Sequence, residues 1–161
     1  MIIDGTNGLT FNNATTQNSG GKVLQVVNAT TSTETSSATN SFIDTNLTAT
    51  ITPLFSTSKI LVIVNQCGLE KASNNTGVVL KLVRNSTTLI NIEAWAAGTN
   101  DTSLNVAGGS GCNYLDSPAT TSATTYKTQF CSHENNSIVY CQYGNTPYAT
   151  TSTITLMEIA Q

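Results

Sequence analysis

Charge is scarce in this sequence. Asp, Glu, Lys and Arg together make up 9% of it, against about 25% in ordinary soluble domains. The six basic residues, Lys22, Lys59, Lys71, Lys81, Arg84 and Lys127, are scattered, and the net charge is −3. Nucleic-acid binding needs a clustered basic footprint that displaces counterions, so no nucleic-acid partner is expected. Long apolar runs are missing too. None approaches the ~20 residues that a helix needs to cross a bilayer, which predicts no membrane insertion. The start, Met1-Ile2-Ile3-Asp4-Gly5, has neither the basic n-region nor the long apolar h-region of a signal peptide, which predicts no Sec-type export. The N-x-[ST] triplets at Asn28, Asn46, Asn85 and Asn100 then read as products of composition, not glycosylation sites.

Side chains for chemistry are also few. A hydrolase triad needs its histidine, and the single one, His133, lies in a Ser-His-Glu-Asn-Asn turn. Gly108-Gly109-Ser110-Gly111-Cys112 misses the G-x-S-x-G elbow because Cys112 replaces the last glycine. A zinc site from Cys131, His133 and Cys141 lacks C-x-x-C spacing and a fourth ligand. Gly98-Thr99-Asn100-Asp101-Thr102 offers oxygens for calcium but matches no EF-hand loop. A glycosidase needs two placed carboxylates, and nothing brings Glu93, Asp101, Asp116 and Glu134 together. The expectation is a protein that is not an enzyme and holds no cofactor and no metal.

The four cysteines, Cys67, Cys112, Cys131 and Cys141, are too few for a dense disulfide framework. Cys131 to Cys141 is expected to be a hairpin turning near Glu134–Asn135. That register would put the two sulfurs on opposite faces, so free buried thiols are the expectation.

What the sequence does have is Thr, Ser and Asn, with Val, Ile and Leu for a core. Hydrophobic residues are 39% of the chain and aromatics 6%. Thr fits a pleated, half-solvated surface, and Asn and Ser favour turns. A period of two runs from Lys22 onward. In Ser41–Thr52, Ile43, Thr45, Leu47, Ala49 and Ile51 share one face, so a half-buried antiparallel strand is expected, ended by Pro53. Lys59–Asn65 is apolar on both faces and reads as a central strand. Gly77–Arg84 and Thr87–Trp95 flank Asn85-Ser86 as a hairpin. About nine or ten strands with regular turn signals and no helix predict an all-β, jelly-roll-like β-sandwich. It spans 22–161. Residues 1–21 end in Ser19-Gly20-Gly21 and read as a short extended N-terminal arm on a flexible hinge. An arm too poor to fold alone docks on something else, with Ile2, Ile3, Leu9 and Phe11 as its anchoring residues.

Three groups are candidate contacts. Strict alternation puts Trp95 on the polar face of its strand, where it stacks on a sugar ring or fills an interprotomer contact. If the strand bends at Ala94, it caps the core edge instead. Tyr143 and Tyr148 share a loop with amides that holds a carbohydrate or a partner's backbone, or simply packs. The last strand carries Ile154, Leu156, Met157 and Ile159 on both faces. It is a subunit interface or a central sandwich strand.

Several stretches carry a resemblance. They are Gly21-Lys22-Val23-Leu24-Gln25-Val26-Val27, Ile51-Thr52-Pro53 with Ser58-Lys59-Ile60-Leu61-Val62, and Leu82-Val83-Arg84. Tyr114-Leu115-Asp116-Ser117-Pro118-Ala119-Thr120-Thr121-Ser122-Ala123-Thr124-Thr125-Tyr126-Lys127 is the most specific, and Ser152-Thr153-Ile154-Thr155-Leu156-Met157-Glu158-Ile159-Ala160 closes the chain. Together they resemble a recurrent domain of bacteriophage structural proteins, common in phages of cyanobacteria and other aquatic bacteria. Asn7–Gln17 is similar to the short segment that precedes this domain in phage fibres. The resemblance implies a virion structural protein of tail-fibre or side-fibre type for host attachment, with no catalytic residues. It implies a homo-oligomer, a trimer, assembled in the host cytoplasm. The arm would join it to other virion proteins, and host surface glycan would be its target. The alternative is a capsid decoration, cement or head-fibre protein.

Overall fold

The computed structural model describes residues 2–4, 8–10, 16–17, 23–73, 75–100, 105–106, 108–144 and 147–161. Regular structure among them is strand alone. The strands are β1 (Ile2–Asp4), β2 (Gly8–Thr10), β3 (Thr16–Gln17), β4 (Val23–Thr31), β5 (Thr35–Ser37), β6 (Ile43–Ile51), β7 (Lys59–Cys67) and β8 (Glu70–Lys71). Then come β9 (Thr76–Arg84), β10 (Thr87–Thr99), β11 (Asn105–Val106), β12 (Gly109–Asp116), β13 (Thr124–Ser132), β14 (Val139–Cys141) and β15 (Ser152–Ile159). Every pairing is antiparallel.

The chain is an antiparallel β-sandwich. One layer is the sheet β10-β9-β13-β6. The other is β12-β7-β15-β4, followed by a shorter sheet in the matching order β11-β8-β14-β5. Each short strand adjoins its long counterpart in sequence, so the second layer is one four-stranded surface broken across its width. Counted this way, the described residues of the sandwich form eight strands. The first pairs with the eighth (β4, β15), the second with the seventh (β6, β13), the third with the sixth (β7, β12) and the fourth with the fifth (β9, β10).

Gly68 sits at the break. Its N–H donates to the Gly108 carbonyl at 2.7 Å, and its own carbonyl accepts from Tyr143 N at 3.0 Å. Its φ is +61°, a conformation that glycine adopts freely. A Cβ here would strike Thr150 Oγ1 and the Tyr143 backbone.

Alternation explains the core. Leu47, Ala49 and Ile51 of β6, Ile60, Val62 and Val64 of β7, Leu82, Tyr126, and Ile154 and Leu156 of β15 form one buried cluster between the layers. Leu69, Val78, Leu80, Phe130, Val139 and Cys141 form a second beneath the short sheet. Each Val, Leu, Ile or Phe among them contributes roughly 1.5–3 kcal/mol on burial. Thr45 joins its predicted face fully buried, whereas Ile43 is 38% exposed at the strand end. β7 and β15 are both central strands.

Five hydroxyl and amide side chains lie between the two clusters, all at most 1% exposed: Thr45, Gln66, Thr128, Gln142 and Ser152. Thr128 Oγ1 donates to Gln66 Oε1 at 2.8 Å and lies 2.5 Å from Thr45 Oγ1. Gln66 Nε2 and Cys67 N donate to Ser152 Oγ at 3.0 and 2.9 Å. The Gln142 amide is best oriented with its oxygen toward Ser152 and Gln66. Its nitrogen then donates to the carbonyls of Thr33, Thr45 and Cys141 at 3.2, 3.1 and 3.2 Å. A buried polar group is tolerated when its partners are present, and this set satisfies itself across both layers.

Two expectations fail. β13 and β14 do not form a hairpin: β13 pairs with β6 and β9, and β14 with β5 and β8. The segment between them crosses from one layer to the other. Phe130 and Val139 both point into the same cluster, and burial from opposite sides outweighs a local turn. The thiols are free as expected, with Cys131 and Cys141 buried and Cys67 and Cys112 partly so. Strict alternation also fails in β10. It pairs end to end with the shorter β9 through four register shifts, each inserting one residue. Such bulges bend and twist an edge strand.

Where the sequence points to an extended arm, β1, β2 and β3 pair as a small three-stranded sheet. Ile2, Ile3 and Leu9 fall on its strands, where the backbone alone is described, and Phe11 lies outside the described residues.

Candidate functional site

The most specific stretch of the sequence converges at one end of the sandwich. Arg84 Nη1, from β9, donates to both oxygens of Asp116 at 2.9 and 2.8 Å, and Tyr126 OH, from β13, donates to Asp116 Oδ2 at 2.6 Å. Asp116 ends β12, so one carboxylate ties three strands. Tyr126 is fully buried, and burial followed by the Asp116 hydrogen bond raises its pKa. The hydrogen bond that Arg84 donates to Asp116 likewise raises its own pKa. Asp116 is therefore an anchor, not a member of a carboxylate pair. The sequence signal for this was the Leu82-Val83-Arg84 and Tyr114–Lys127 stretches themselves; their meeting was not legible. Beside the ion pair, Arg84, Asn85, Thr87, Pro118 and Thr120 line a shallow depression of about 240 Å³.

A second hollow, of about 290 Å³, lies on the outer face of the continuous sheet. Asn46 takes a left-handed φ of 67° within β6, where the register against β13 slips. That bulge opens the floor, and Asp44 and Lys127 rim it with a 2.8 Å ion pair. Burial alone would raise the Asp44 pKa; hydrogen bonds from Lys127 and Gln129 outweigh it and lower it.

Trp95 lies in the bulged part of β10, 37% exposed. Its ring meets His133 edge to face, with centroids 4.4 Å apart, and lies directly against Gly98. The register shift between Glu93 and Ala96 takes it off a regular polar face. It is a braced half-exposed platform, and only the bulges, invisible to a period count, put it there. His133 Nδ1 in turn meets Glu134 Oε1 at 3.0 Å. Tyr143 packs on Tyr140 at 5.4 Å, while Tyr148 is 83% exposed. No ring-to-ring contact among the described residues joins Trp95 to either tyrosine. The predicted contact residues are thus separate spots, not one pocket.

The other candidates are equally dispersed. Glu93 accepts from Ser110 Oγ at 3.0 Å, and Asp101 lies outside the described residues. Glu70 is 1% exposed with Oε2 unpartnered, and burial, with Glu34 nearby, raises its pKa. Burial also raises the thiol pKa of Cys112, Cys131 and Cys141, which disfavours the reactive thiolate.

The last strand separates the four predicted interface residues. Ile154 and Leu156 are 0% exposed within their own core and are unavailable to a partner, which corrects their assignment. Met157 and Ile159 face outward, half-buried. Alternation in a strand between two neighbours allows nothing else.

No protein-family model matches this chain, and no curated protein is similar to it.

Proposed function

We propose that this chain is a non-enzymatic bacteriophage virion structural protein, a jelly-roll module of tail-fibre or side-fibre type that serves attachment to a host surface. The observation that carries the reading is the strand pairing, first with eighth through fourth with fifth. That is the pattern of a long hairpin rolled into two facing sheets, a layout used by capsid and lectin domains. Fold alone does not give function. Support also comes from the segments that resemble phage proteins, which meet at Arg84, Asp116 and Tyr126. Host contact is assigned to the braced Trp95 ring, with Tyr148 as a second, fully separate contact. Weak sugar contacts of this kind gain strength from copy number in a trimer.

The test has two parts. Peptide mass spectrometry of purified phage particles should find the chain, and gold-labelled antibody should place it on the tail. Label on the head favours the decoration or head-fibre reading; its absence from particles rejects both. Trp95→Ala should then weaken binding to host-surface polysaccharide at least tenfold without loss of folding.

A further inference from the structure

The outer face of the sheet β12-β7-β15-β4 is built differently from that of the opposite sheet. Its side chains line up in rows across all four strands. One row is Val26, Met157, Leu61 and Leu115. The next is Asn28, Thr155, Ile63 and Asn113, and the third is Thr30, Thr153, Asn65 and Gly111. Lys59, at the start of β7, is the only charge among the described residues of this face. The opposite sheet's outer face carries Asp44, Lys81 and Lys127, paired or stacked on neighbours. In a chain with so few charges, the outer face of one sheet carries, among the described residues, a single charge at its end and is striped with apolar residues. Val26 is 56% and Leu115 51% exposed at the two ends of the apolar row, and Ile63 is 37% exposed in the next.

We infer that this face is where a second copy of the chain packs. The inference rests on the assembly reading above and adds the surface that reading lacked. Two physical arguments favour an identical partner. The first is charge. Copies of this face converge whether it lies on a twofold or lines a threefold axis, and like charges brought together there are costly. Rows of Val, Leu, Met, Thr and Asn avoid that cost, whereas a different partner would be selected by complementary charge. The second is area. Four strands about 4.8 Å apart and ~30 Å long present on the order of 600 Å², near the ~800 Å² that each partner of a standard interface buries. A sugar or short peptide would need a groove, and the two hollows described above lie elsewhere. The apolar row supplies the dry centre, and the amide and hydroxyl rows supply the polar remainder.

Sedimentation velocity and native mass spectrometry of the full chain at up to about 100 µM decide this. The wild type is expected to assemble. The double variant Val26→Asp/Leu115→Asp should raise the dissociation constant at least 100-fold with its melting curve retained, since both positions are already half exposed. Thr48→Asp, on the opposite sheet, should leave assembly unchanged. A measurement on the unaltered protein guards against a variant that fails to fold. Peroxide oxidation of Met157 should slow as protein concentration rises. A wild type that stays monomeric overturns the inference, as does an assembly indifferent to V26D/L115D with Met157 oxidised at a constant rate. A monomer found on phage particles would sink the interface and spare the virion reading; a dispersible oligomer absent from particles would do the reverse.

Discussion

Thr128 Oγ1 donates a 2.8 Å hydrogen bond to Gln66 Oε1, and this bond joins one layer of the sandwich to the other. Both residues are completely buried. In such a place a lost partner costs more than the bond itself, because the orphaned group has no water to turn to. Thr128→Val keeps the shape and strands Gln66 Oε1, while the Thr45 hydroxyl keeps the Thr128 carbonyl and the Leu47 amide. The expected loss is about 1–3 kcal/mol, read as a lower urea midpoint at unchanged slope.

Asp116→Ala should cost about 2–4 kcal/mol, because it leaves Tyr126 OH and the Arg84 guanidinium without their shared acceptor. The lower end is expected if water reaches Arg84, whose side chain is 25% exposed. Thermal melting of the variant beside Arg84→Ala checks this. The two losses should not add, since either change breaks the same pair.

Gly68→Ala should destabilise by more than the ~1 kcal/mol of an ordinary glycine replacement. The left-handed φ and the blocked Cβ position act together. A melting temperature within error of the wild type would mean that the break between the sheets tolerates a side chain.

The Glu158 carboxylate accepts the Leu54 amide at 2.8 Å and Gln25 Nε2 at 2.5 Å. Burial alone would raise its pKa; these bonds, with that from the Phe55 amide, outweigh burial and lower it. A folded pKa below the unfolded one contributes stability that is present above the unfolded value and fades as pH falls through the folded value. Glu158→Gln should therefore flatten the acid limb of stability against pH and loosen the Leu54–Phe55 tip in hydrogen exchange. Glu70, with its raised pKa, has the opposite sign: Glu70→Gln should stabilise the fold near neutral pH.

Leu156→Ala should cost about 2–5 kcal/mol, as core truncations do, whereas Met157→Ala next to it should cost under 1 kcal/mol in a protomer held monomeric by V26D/L115D. Denaturant titrations of both variants in that background separate core from surface within one strand.

Much of this architecture was legible in the sequence, and the reason is local. A strand between two neighbours sends alternate side chains to opposite sides, so Leu47, Ala49 and Ile51 declare their face, and the doubly apolar β7 declares itself central, whereas for β15 the sequence left an interface strand equally open. The left-handed Asn85 turn between β9 and β10 announces their hairpin. Scarce charge and abundant Thr and Asn already describe a neutral β surface. Tertiary structure alone decided the rest, because it depends on residues far apart in the chain. The four bulges of β10 set where Trp95 points. The crossing from β13 to β14 arose because Phe130 and Val139 are buried by opposite layers. The closure of Thr45, Thr128, Gln66, Ser152 and Gln142 into one network needs five segments in register at once. The row Val26, Met157, Leu61 and Leu115 likewise exists only through the registers of four strands. Alternation tells which side a residue faces; only pairing tells what stands beside it.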